Sequence, residues 1–470
     1  EDILKSELGK ETELACIGPS GEKVSLIAAV MNNKGRAAGR SGLGAVMGAK
    51  KVKAVAVKGS MKVPLFDEAK ATELRRKTLG ELTGHVTSLR EYGTPTIMER
   101  CLLIGDAPVR NWGGIATDFP DVKLIAADAV KAEQSRSWGC WRCPIACGGH
   151  MKGSTGEYQY EAGAHKPEYE TLAMFGSNCM NTDLASIVKA NDICNRAGLD
   201  TISAGAAVAF AIECYENGII TKADTDGLEM TWGNHRSIIA MTEKLARREG
   251  FGDILADGVK AAAQKIGRGA EQFAMHIQGQ EIPAHDPKIG RQWGTTYRMD
   301  ATPARHTQGG EGGMGPANPK QPAFDRNGWS GRGEARRIGS SWHHAVQATG
   351  ICSFGLGALP NIESLMEMIH AVSGWDITVE EMLQIGERIS NVRQAFNVRE
   401  GLNPLKYNMP ARIIGNPPKT AGPSKGVTVD EATLDGEYLT AMDWDLETVK
   451  PSKKKLVELG LGEVAGELWG

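Results

Sequence analysis

Three cysteines lie within eight residues of one another and form the part of the sequence best suited to chemistry. Cys140, Cys143 and Cys147 follow the spacing C-x2-C-x3-C, with Pro144 and Gly148 in the same tract. Three thiolates on one short loop suit three corners of a cubane iron–sulfur cluster, whose fourth ligand must come from elsewhere in the chain. The spacing therefore favours an iron–sulfur site at this loop.

Other uses of cysteine explain the tract less well. A zinc site usually has a second C-x2-C pair or added histidines, and this sequence has no second pair. His150 could substitute, but it lies too close to Cys147 to complete a relaxed tetrahedron easily. Redox C-x2-C motifs of the thioredoxin type need a βαβ setting and no third cysteine. Since three structural cysteines at this density are improbable, the cluster is the favoured interpretation.

The fourth cluster ligand is sought among the remaining cysteines of a total of nine. Cys352 is the best candidate, because it lies in another glycine-flanked loop between Gly350 and Gly355. Cys179 stays an alternative, since it lies near an acidic tract around Glu170. The odd number of cysteines argues against a fully disulfide-paired chain. We expect core positions for the five others, namely Cys16, Cys101, Cys179, Cys194 and Cys214, although Cys179 is not dismissed as a ligand.

Composition restricts the class of protein. The chain has 470 residues, of which 41% are hydrophobic and 24% charged, and its net charge is −3. This composition is typical of a soluble globular protein of two or three domains, with no overall field that would recruit nucleic acid or a membrane surface. No apolar run reaches the roughly 20 residues of a membrane helix. The polar, acidic start is unlike a signal peptide, so we expect a cytoplasmic protein.

The elements that must position the cysteines divide into a short β-rich start and a long helical remainder. Residues 23–30 and 52–57 are short, β-branched and bounded by glycines, which predicts two strands. Between them, residues 39–48 are a strand–loop–helix candidate. Glycine totals 58 residues and is concentrated in residues 35–48 and 309–315. Such clusters are typical of loops wrapped around a large ligand, although plain loop flexibility explains the second run equally well.

Local capping signals predict the helices. Asp183 is a plausible N-cap for a helix that ends at Gly198, and Thr378 with Glu381 forms a capping box. Asn361 is expected to cap a further helix. Residues 282–330 contain many Pro, Gly and His residues with little periodicity, which predicts long irregular loops. Further helices are predicted at residues 201–216, 237–249 and 253–266.

Several tracts, in order along the chain, together resemble the aldehyde:ferredoxin oxidoreductase family. They are residues 39–48, the three-cysteine loop, and residues 167–171, 195–201, 281–287, 350–352, 393–397 and 456–461. The resemblance implies an α+β fold with a partial N-terminal β-rich cofactor-binding domain at residues 1–65. Two mainly helical domains follow, one with the three-cysteine loop at residues 66–274 and one with the fourth cysteine at residues 275–470. Family members normally have a longer β-rich segment before Arg40, so we expect a preceding segment or a partner chain to complete this domain.

The resemblance also implies the cofactors. The family holds tungsten, less often molybdenum, between two pterins, with a 4Fe–4S cluster beside them and room for a magnesium ion between the pterin phosphates. This explains why no compact His, Cys and Asp constellation looks like a catalytic metal site, since the cofactor supplies the sulfur ligands. Two family motifs present an acid to the pterins, and both acids are amides here, at Asn195 and Gln347. The implied pterin contacts are Arg40, Ser41, Gly42, Gly44, Asn195, Gly198, Leu199, Asp200 and Gln347.

Two residues match the family's catalytic positions, Glu170 and His306. A carboxylate can activate water or accept a proton, and an imidazole can hydrogen-bond a carbonyl oxygen as charge develops. The implied reaction is oxidation of an aldehyde to a carboxylic acid, with electrons leaving through the cluster to ferredoxin or an iron–sulfur subunit, in an oligomeric enzyme. Two alternatives stay open: a benzoyl-CoA reductase-like catalytic subunit acting on an acyl substrate, and a non-catalytic iron–sulfur electron-transfer subunit.

Overall fold

The computed structural model describes residues 1–81, 85–311 and 315–470. The chain forms two compact units. The first unit comprises Glu1–Met61, Leu89–Ile289 and Pro410–Gly426, and the second comprises Lys62–Ser88, Gly290–Met409 and Val427–Gly470. Part of the glycine run predicted at 309–315 lies outside the described residues. Within the described ranges, no helix is both long and apolar enough to cross a membrane.

The α+β class predicted from the sequence is confirmed, and helices predominate. The strands are β1 (Glu13–Ile17), β2 (Val30–Asn32), β3 (Arg36–Ala38), β4 (Ala54–Val57), β5 (Gln134–Trp138), β6 (Gly148–Met151), β7 (His276–Ile277) and β8 (Gln280–Glu281). The helices begin with α1 (Asp2–Leu8), α2 (Pro19–Glu22), α3 (Leu43–Ala49), α4 (Glu68–Glu81), α5 (His85–Tyr92), α6 (Met98–Leu103), α7 (Ala127–Glu133), α8 (Tyr169–Phe175), α9 (Leu184–Ala197), α10 (Thr201–Glu216) and α11 (His235–Arg247). They continue with α12 (Phe251–Leu255), α13 (Gly258–Ile266), α14 (Gln292–Met299), α15 (Gly333–Ala348), α16 (Ser353–Leu356), α17 (Ile362–Ser373), α18 (Val379–Arg399), α19 (Ala411–Ile414), α20 (Glu431–Met442), α21 (Lys453–Glu458) and α22 (Gly462–Trp469).

The first unit opens with an antiparallel sheet of four strands in the order β3-β2-β1-β4. Cys16 on β1 lies opposite Met31 on β2 and Ala54 on β4. The strand predicted at 23–30 is wrong, because residues 19–22 form α2 and Val24 has a positive φ of 56°. β1 was not predicted.

The core of the first unit surrounds α10. Residues 202–214 of this helix are all buried, as expected of a helix that is apolar on every face. Helices α8, α9, α11 and α13 pack around it. Asp183 and Gly198 cap α9 as predicted, with Gly198 in the left-handed region.

One predicted helix, at 253–266, is two helices in the structure. Gly258 separates α12 from α13 with a φ of 84°. A Cβ at this position would lie 2.5 Å from an oxygen of the Glu281 carboxyl group. The same oxygen accepts a hydrogen bond from the Val259 N–H at 2.7 Å. A contact with a distant strand therefore interrupts a locally helical pattern.

In the second unit, α15 packs along α18. The capping box of Thr378 and Glu381 is confirmed at the start of α18, and Asn361 caps α17. Among its described residues, the segment predicted to be irregular, 282–330, contains one regular element, α14. Buried apolar side chains form the core between α15, α17 and α18, among them Trp342, Val346, Leu365 and Met382.

Candidate functional site

The three-cysteine loop connects β5 and β6, which pair as an antiparallel hairpin. Cys140 is exposed, whereas Cys143 and Cys147 are half-buried, and all three are free thiols. The N–H of Cys143 donates a hydrogen bond to the Cys140 carbonyl at 2.9 Å. Arg142 and Ala146 have positive φ angles of 54° and 49°, so the loop turns sharply between its cysteines. The hairpin thus presents three thiols on one compact turn.

Two cationic side chains lie at this loop. The Arg36 guanidinium pairs with the Glu168 carboxylate at 2.8 Å and lies 4.7 Å from the centre of the Trp138 ring. Although burial opposes the charge, the Glu168 carboxylate and the negative charge of ionised Cys147 and Cys140 raise the pKa of Arg36. The buried Lys166 ammonium donates to the Tyr92 carbonyl at 2.7 Å. Positive charge at this loop complements the negative charge that cysteines carry as metal ligands.

The predicted pterin tracts around Gly44 and Gly198 come together in the first unit. The Gly44 N–H donates to the Ala28 carbonyl at 3.0 Å, and the Ala29 N–H donates to the Gly198 carbonyl at 2.8 Å. A Cβ at Gly42, which has a φ of 68°, would lie 2.6 Å from the Leu26 carbonyl oxygen. Residues 26–29 therefore join the two tracts, and their close backbone approach explains the glycines.

Arg40 and Asp200 form a buried ion pair across the same junction. Their side chains are 3.0 Å apart and only 7% and 6% exposed. Arg40 also donates to the Glu281 carbonyl at 2.6 Å. The Asp200 carboxylate caps α10 through the Ile202 N–H at 3.0 Å and accepts from the Ser203 hydroxyl at 2.8 Å. The Asp200 carboxylate is therefore held in place both by hydrogen bonds at the start of α10 and by its ion pair with the buried Arg40 guanidinium.

The other predicted pterin contacts in these two tracts, Ser41, Asn195 and Leu199, are close in sequence to Arg40 and Asp200. The Ser41 hydroxyl donates to the Gln280 side-chain oxygen at 2.8 Å. Asn195 is half-buried in the last turn of α9, and Leu199 is buried. The structure thus gathers Arg40, Gly42, Gly44, Gly198, Leu199 and Asp200 in one region.

Glu170 lies in the first turn of α8, with 13% of its side chain exposed. Its Oε2 accepts a hydrogen bond from the Ala284 N–H at 2.8 Å. Burial raises the pKa of Glu170, while His285, the Ala284 N–H and Arg40 act in the opposite direction and Asp200 adds to the rise. The predicted catalytic carboxylate is therefore within electrostatic reach of the buried Arg40–Asp200 pair.

A histidine and an aspartate that the sequence analysis did not assign lie beside Glu170. His285 Nδ1 is 2.7 Å from Asp106 Oδ2, and His285 Nε2 is 3.8 Å from Glu170 Oε1. Burial lowers the pKa of His285, but Asp106 and Glu170 together outweigh burial and leave this pKa raised. His285 was part of a family-like tract, but its partner is 179 residues away in sequence, so no local signal could reveal the pair.

Cys101, Asp106 and His285 also resemble a set of metal ligands, since one donor atom of each lies within 4.8 Å of the others. In this structure the three groups form a hydrogen-bonded cluster. His285 and Asp106 bond directly to each other. Burial, followed by the charge of Asp106, raises the pKa of the Cys101 thiol to about 12.

The other predicted site residues, His306, Gln347 and Cys352, belong to the second unit. The Gln347 amide donates to the carbonyl of Thr307, the neighbour of His306, at 2.8 Å. Cys352 is exposed at the N-cap of α16. The structure therefore brings Gln347 to the His306 loop. The role of Cys352 as a fourth cluster ligand stays a prediction.

The sequence and the fold are similar to those of known oxidoreductases. The model of aldehyde ferredoxin oxidoreductase domains 2 and 3 matches residues 71–461, and that of the family's N-terminal domain matches residues 1–59. The tungsten-containing aldehyde ferredoxin oxidoreductase of Pyrococcus furiosus is 34% identical over 481 residues, which cover 98% of this chain and 76% of the relative. An aliphatic sulfonate oxidoreductase, WOR-like subunit, of the same organism is 30% identical over 492 residues, covering 100% and 74%.

A solved structure extends the likeness to the fold. The active site complex BamBC of benzoyl coenzyme A reductase, in complex with 1,5-dienoyl-CoA, superimposes with a TM-score of 0.77 at 23% identity. The match covers 99% of this chain and 76% of that one. At this identity the match shows a shared fold. The two family models together account for most of the sequence, and the chain belongs to the aldehyde ferredoxin oxidoreductase family.

Proposed function

We propose that this chain is a tungsten-bispterin oxidoreductase that oxidises aldehydes to carboxylic acids and passes the electrons through a 4Fe–4S cluster to ferredoxin. The observation that carries the proposal is the position of Glu170, a largely buried carboxylate beside the Arg40–Asp200 pair, where two glycine tracts meet. The names of the tungsten-containing relatives support the same chemistry.

The residues present fit an iron–sulfur cluster. Cys140, Cys143 and Cys147 are soft donors on a single hairpin turn, which is the ligand type that such clusters require. Arg36 and Lys166 place positive charge beside the thiolates. We propose Cys352 as the fourth ligand on the strength of the family resemblance.

The residues of the glycine junction fit a pterin site. We propose that Arg40, Ser41 and Asp200 supply polar contacts, and that Gly42, Gly44, Gly198 and Leu199 shape the backbone around them. Asn195 and Gln347 present amide oxygens, which still accept hydrogen bonds from pterin amino groups but without charge assistance. Magnesium between the pterin phosphates is part of the same proposal. When bound, the tungsten–pterin group takes up the two electrons of the oxidation, and the cluster conducts them outwards.

The protein's own residues handle the protons and orient the substrate. Oxidation of an aldehyde takes its added oxygen from water and releases two electrons and two protons besides the acid. We propose that the Glu170 carboxylate accepts a proton from the attacking water. Because burial raises its pKa, it is a stronger base than an exposed glutamate. His306 then donates a hydrogen bond to the carbonyl oxygen as negative charge develops there.

The test is an oxygen-free assay of aldehyde oxidation with a viologen dye, together with metal analysis. Glu170→Gln and His306→Ala are expected to abolish turnover while the iron and tungsten content stays near that of the wild type, because neither is proposed as a metal ligand. Glu216→Gln, at an exposed ion pair with Arg110, and His370→Ala, at an exposed ring, are matched controls. Loss of tungsten in the Glu170 or His306 variant would recast that residue as cofactor support.

A reductive enzyme acting on an acyl-CoA substrate is the second candidate. The fold shared with the benzoyl coenzyme A reductase complex favours it. Reduced viologen oxidised by an aromatic acyl-CoA, with no turnover of aldehydes, would establish this alternative. The third alternative, a non-catalytic electron-transfer subunit, is disfavoured because the relatives are named oxidoreductases and a base is present at Glu170.

A further inference from the structure

Three ionisable groups form a line in the first unit, from Asp106 through His285 to Glu170. Asp106 lies in the turn after α6, His285 follows β8 and Glu170 is on α8. Each side chain is between 10% and 15% exposed. The imidazole lies between two carboxylates, 2.7 Å from one and 3.8 Å from the other. Ionisable groups held this close in a largely buried setting must influence one another's proton affinity.

Asp106 fixes the tautomer of the imidazole. Its Oδ1 accepts a hydrogen bond from the Asp286 N–H at 2.9 Å, which holds the carboxylate in place. An ionised carboxylate only accepts hydrogen bonds, so the His285 Nδ1 beside it must carry a proton. In the neutral imidazole, Nε2 then presents its lone pair to Glu170.

The backbone of residues 284–286 holds the three ionisable groups in place. The Ala284 N–H holds Glu170 Oε2 at 2.8 Å, and the Ala284 carbonyl accepts from the Tyr169 hydroxyl at 2.6 Å. Residues 284–286 therefore hold the base, the imidazole and the carboxylate behind it. This stretch follows the region in which Arg40 bonds to the Glu281 carbonyl.

We propose that His285 is a positioning residue that accepts the proton of Glu170 between turnovers and so restores its carboxylate. This inference rests on the proposed role of Glu170 as base. In this step the O–H bond of the protonated Glu170 carboxyl group breaks and an N–H bond forms at His285 Nε2. The resulting imidazolium lies between two carboxylates, and no electrons are exchanged. Since 3.8 Å exceeds a hydrogen bond, the transfer needs a small rotation of the carboxyl group or one bridging water.

The titratable groups that face this line come from several elements. His285 faces Asp106 and Glu170, and its ring centre is 5.3 Å from that of Tyr169. The buried ion pair of Asp286 and Lys288 follows it in the chain. The charges that act on the pKa of Glu170, besides His285, are those of Arg40 and Asp200. Cys101 also lies within 4.8 Å of the imidazole and stays a thiol.

The first experiment compares the pH dependence of kcat/KM in the wild type and in His285→Gln. The transfer needs a neutral His285 imidazole, so turnover is lost as the pH falls through the pKa of this group, which Asp106 and Glu170 raise against the effect of burial. Removing the imidazole is expected to move the acid limb to lower pH, where only protonation of Glu170 limits turnover, and to reduce kcat roughly 10²-fold. Asp106→Asn is expected to move the limb in the same direction. His276→Gln, a histidine on β7 whose Nδ1 accepts from the Gly279 N–H, is the matched control and is expected to leave the limb unchanged.

A second measurement needs no turnover. Nitrogen NMR of the holoprotein labelled with ¹⁵N-histidine reports the tautomer and the pKa of His285. The His285 signal is identified because it is missing in His285→Gln or altered in Asp106→Asn. We expect a protonated Nδ1 and a pKa above the ordinary value, which falls in Asp106→Asn. An unprotonated Nδ1, or an acid limb that stays in place in both variants, would refute the role of His285. Zinc bound by the wild type and lost in Cys101→Ala would refute it equally.

The two measurements separate this inference from the proposed function. If the wild type oxidises no aldehyde, the proposed function fails, while the NMR tautomer still decides whether Asp106 orients His285. If aldehyde is oxidised but the acid limb does not move in His285→Gln, only the role of His285 fails. Should His285→Gln prove insoluble, the isosteric Asp106→Asn variant carries both measurements.

Discussion

Substitutions at the buried ion pair of Arg40 and Asp200 test most directly what stabilises the first unit. Two aspartates there cap successive helices: Asp183 caps α9 through the Ser186 N–H at 2.7 Å, and Asp200 caps α10 through the Ile202 N–H. Only Asp200 of these two also faces Arg40 at 3.0 Å. Comparing Asp183→Ala with Asp200→Ala therefore isolates the contribution of the buried cation.

The magnitudes follow from the two environments. Loss of an N-cap typically costs about 1 kcal/mol of unfolding free energy, which is the expectation for Asp183→Ala. Removing one partner of a buried ion pair costs about 3–5 kcal/mol, because a charge stays buried without its counterion. Asp200→Ala is thus expected to cost about three to five times as much. The double variant Arg40→Met/Asp200→Ala is expected to recover part of this loss, since no uncompensated charge remains.

Thermal unfolding of the variants, followed with one probe under identical conditions, provides the comparison. For domains of 150–250 residues, each kcal/mol shifts the Tm by about 2–4 °C. A chain of two units need not unfold in one step, so the order of the midpoints is the quantity to compare. The reasoning fails if Asp200→Ala lowers the midpoint no more than Asp183→Ala, or if the double variant is less stable than Asp200→Ala.

Two further predictions concern the cluster loop and the glycines. Cys143→Ser is expected to remove the visible absorbance of the cluster, whereas Cys214→Ser, at a fully buried core position, is expected to retain it; equal loss in both variants would contradict the ligand assignment. Gly258→Ala is expected to lower the Tm by several degrees, because its φ is 84° and its Cβ would collide with a carboxylate. Gly436→Ala, inside α20 with open space around its Cβ, is expected to add about 0.5–1 kcal/mol of stability, and equal effects in the two glycine variants would contradict this reading.

Features with local causes were predictable from the sequence. The caps of α9, α17 and α18 depend on a side chain and an N–H a few residues apart, so Asp183, Asn361 and Thr378 could be assigned without the fold. The three cysteines share one loop, and their spacing alone favours a cluster. The tungsten and pterin expectations came instead from the family resemblance, which the comparisons confirm at the level of the family.

Features that depend on distant partners were not predictable. Val24 lies in an apolar, β-branched run, yet its backbone adopts a positive φ of 56° after the turn of α2. Gly258 interrupts a helical pattern because Glu281 approaches it from another element. The line from Asp106 to Glu170 joins three segments, and no spacing rule relates them. Arg36 and its pairing with Glu168 were missed for the same reason.

Metal analysis of the holoprotein, purified without oxygen, tests the central claim most directly. We expect about four iron atoms and about one tungsten or molybdenum atom per chain, together with pterin released on denaturation. Cys143→Ser is expected to lose iron, while Glu170→Gln is expected to keep both metals, since its carboxylate bonds to the Ala284 N–H and faces His285. A wild-type protein that contains zinc alone, with neither iron nor tungsten nor molybdenum, would contradict the account.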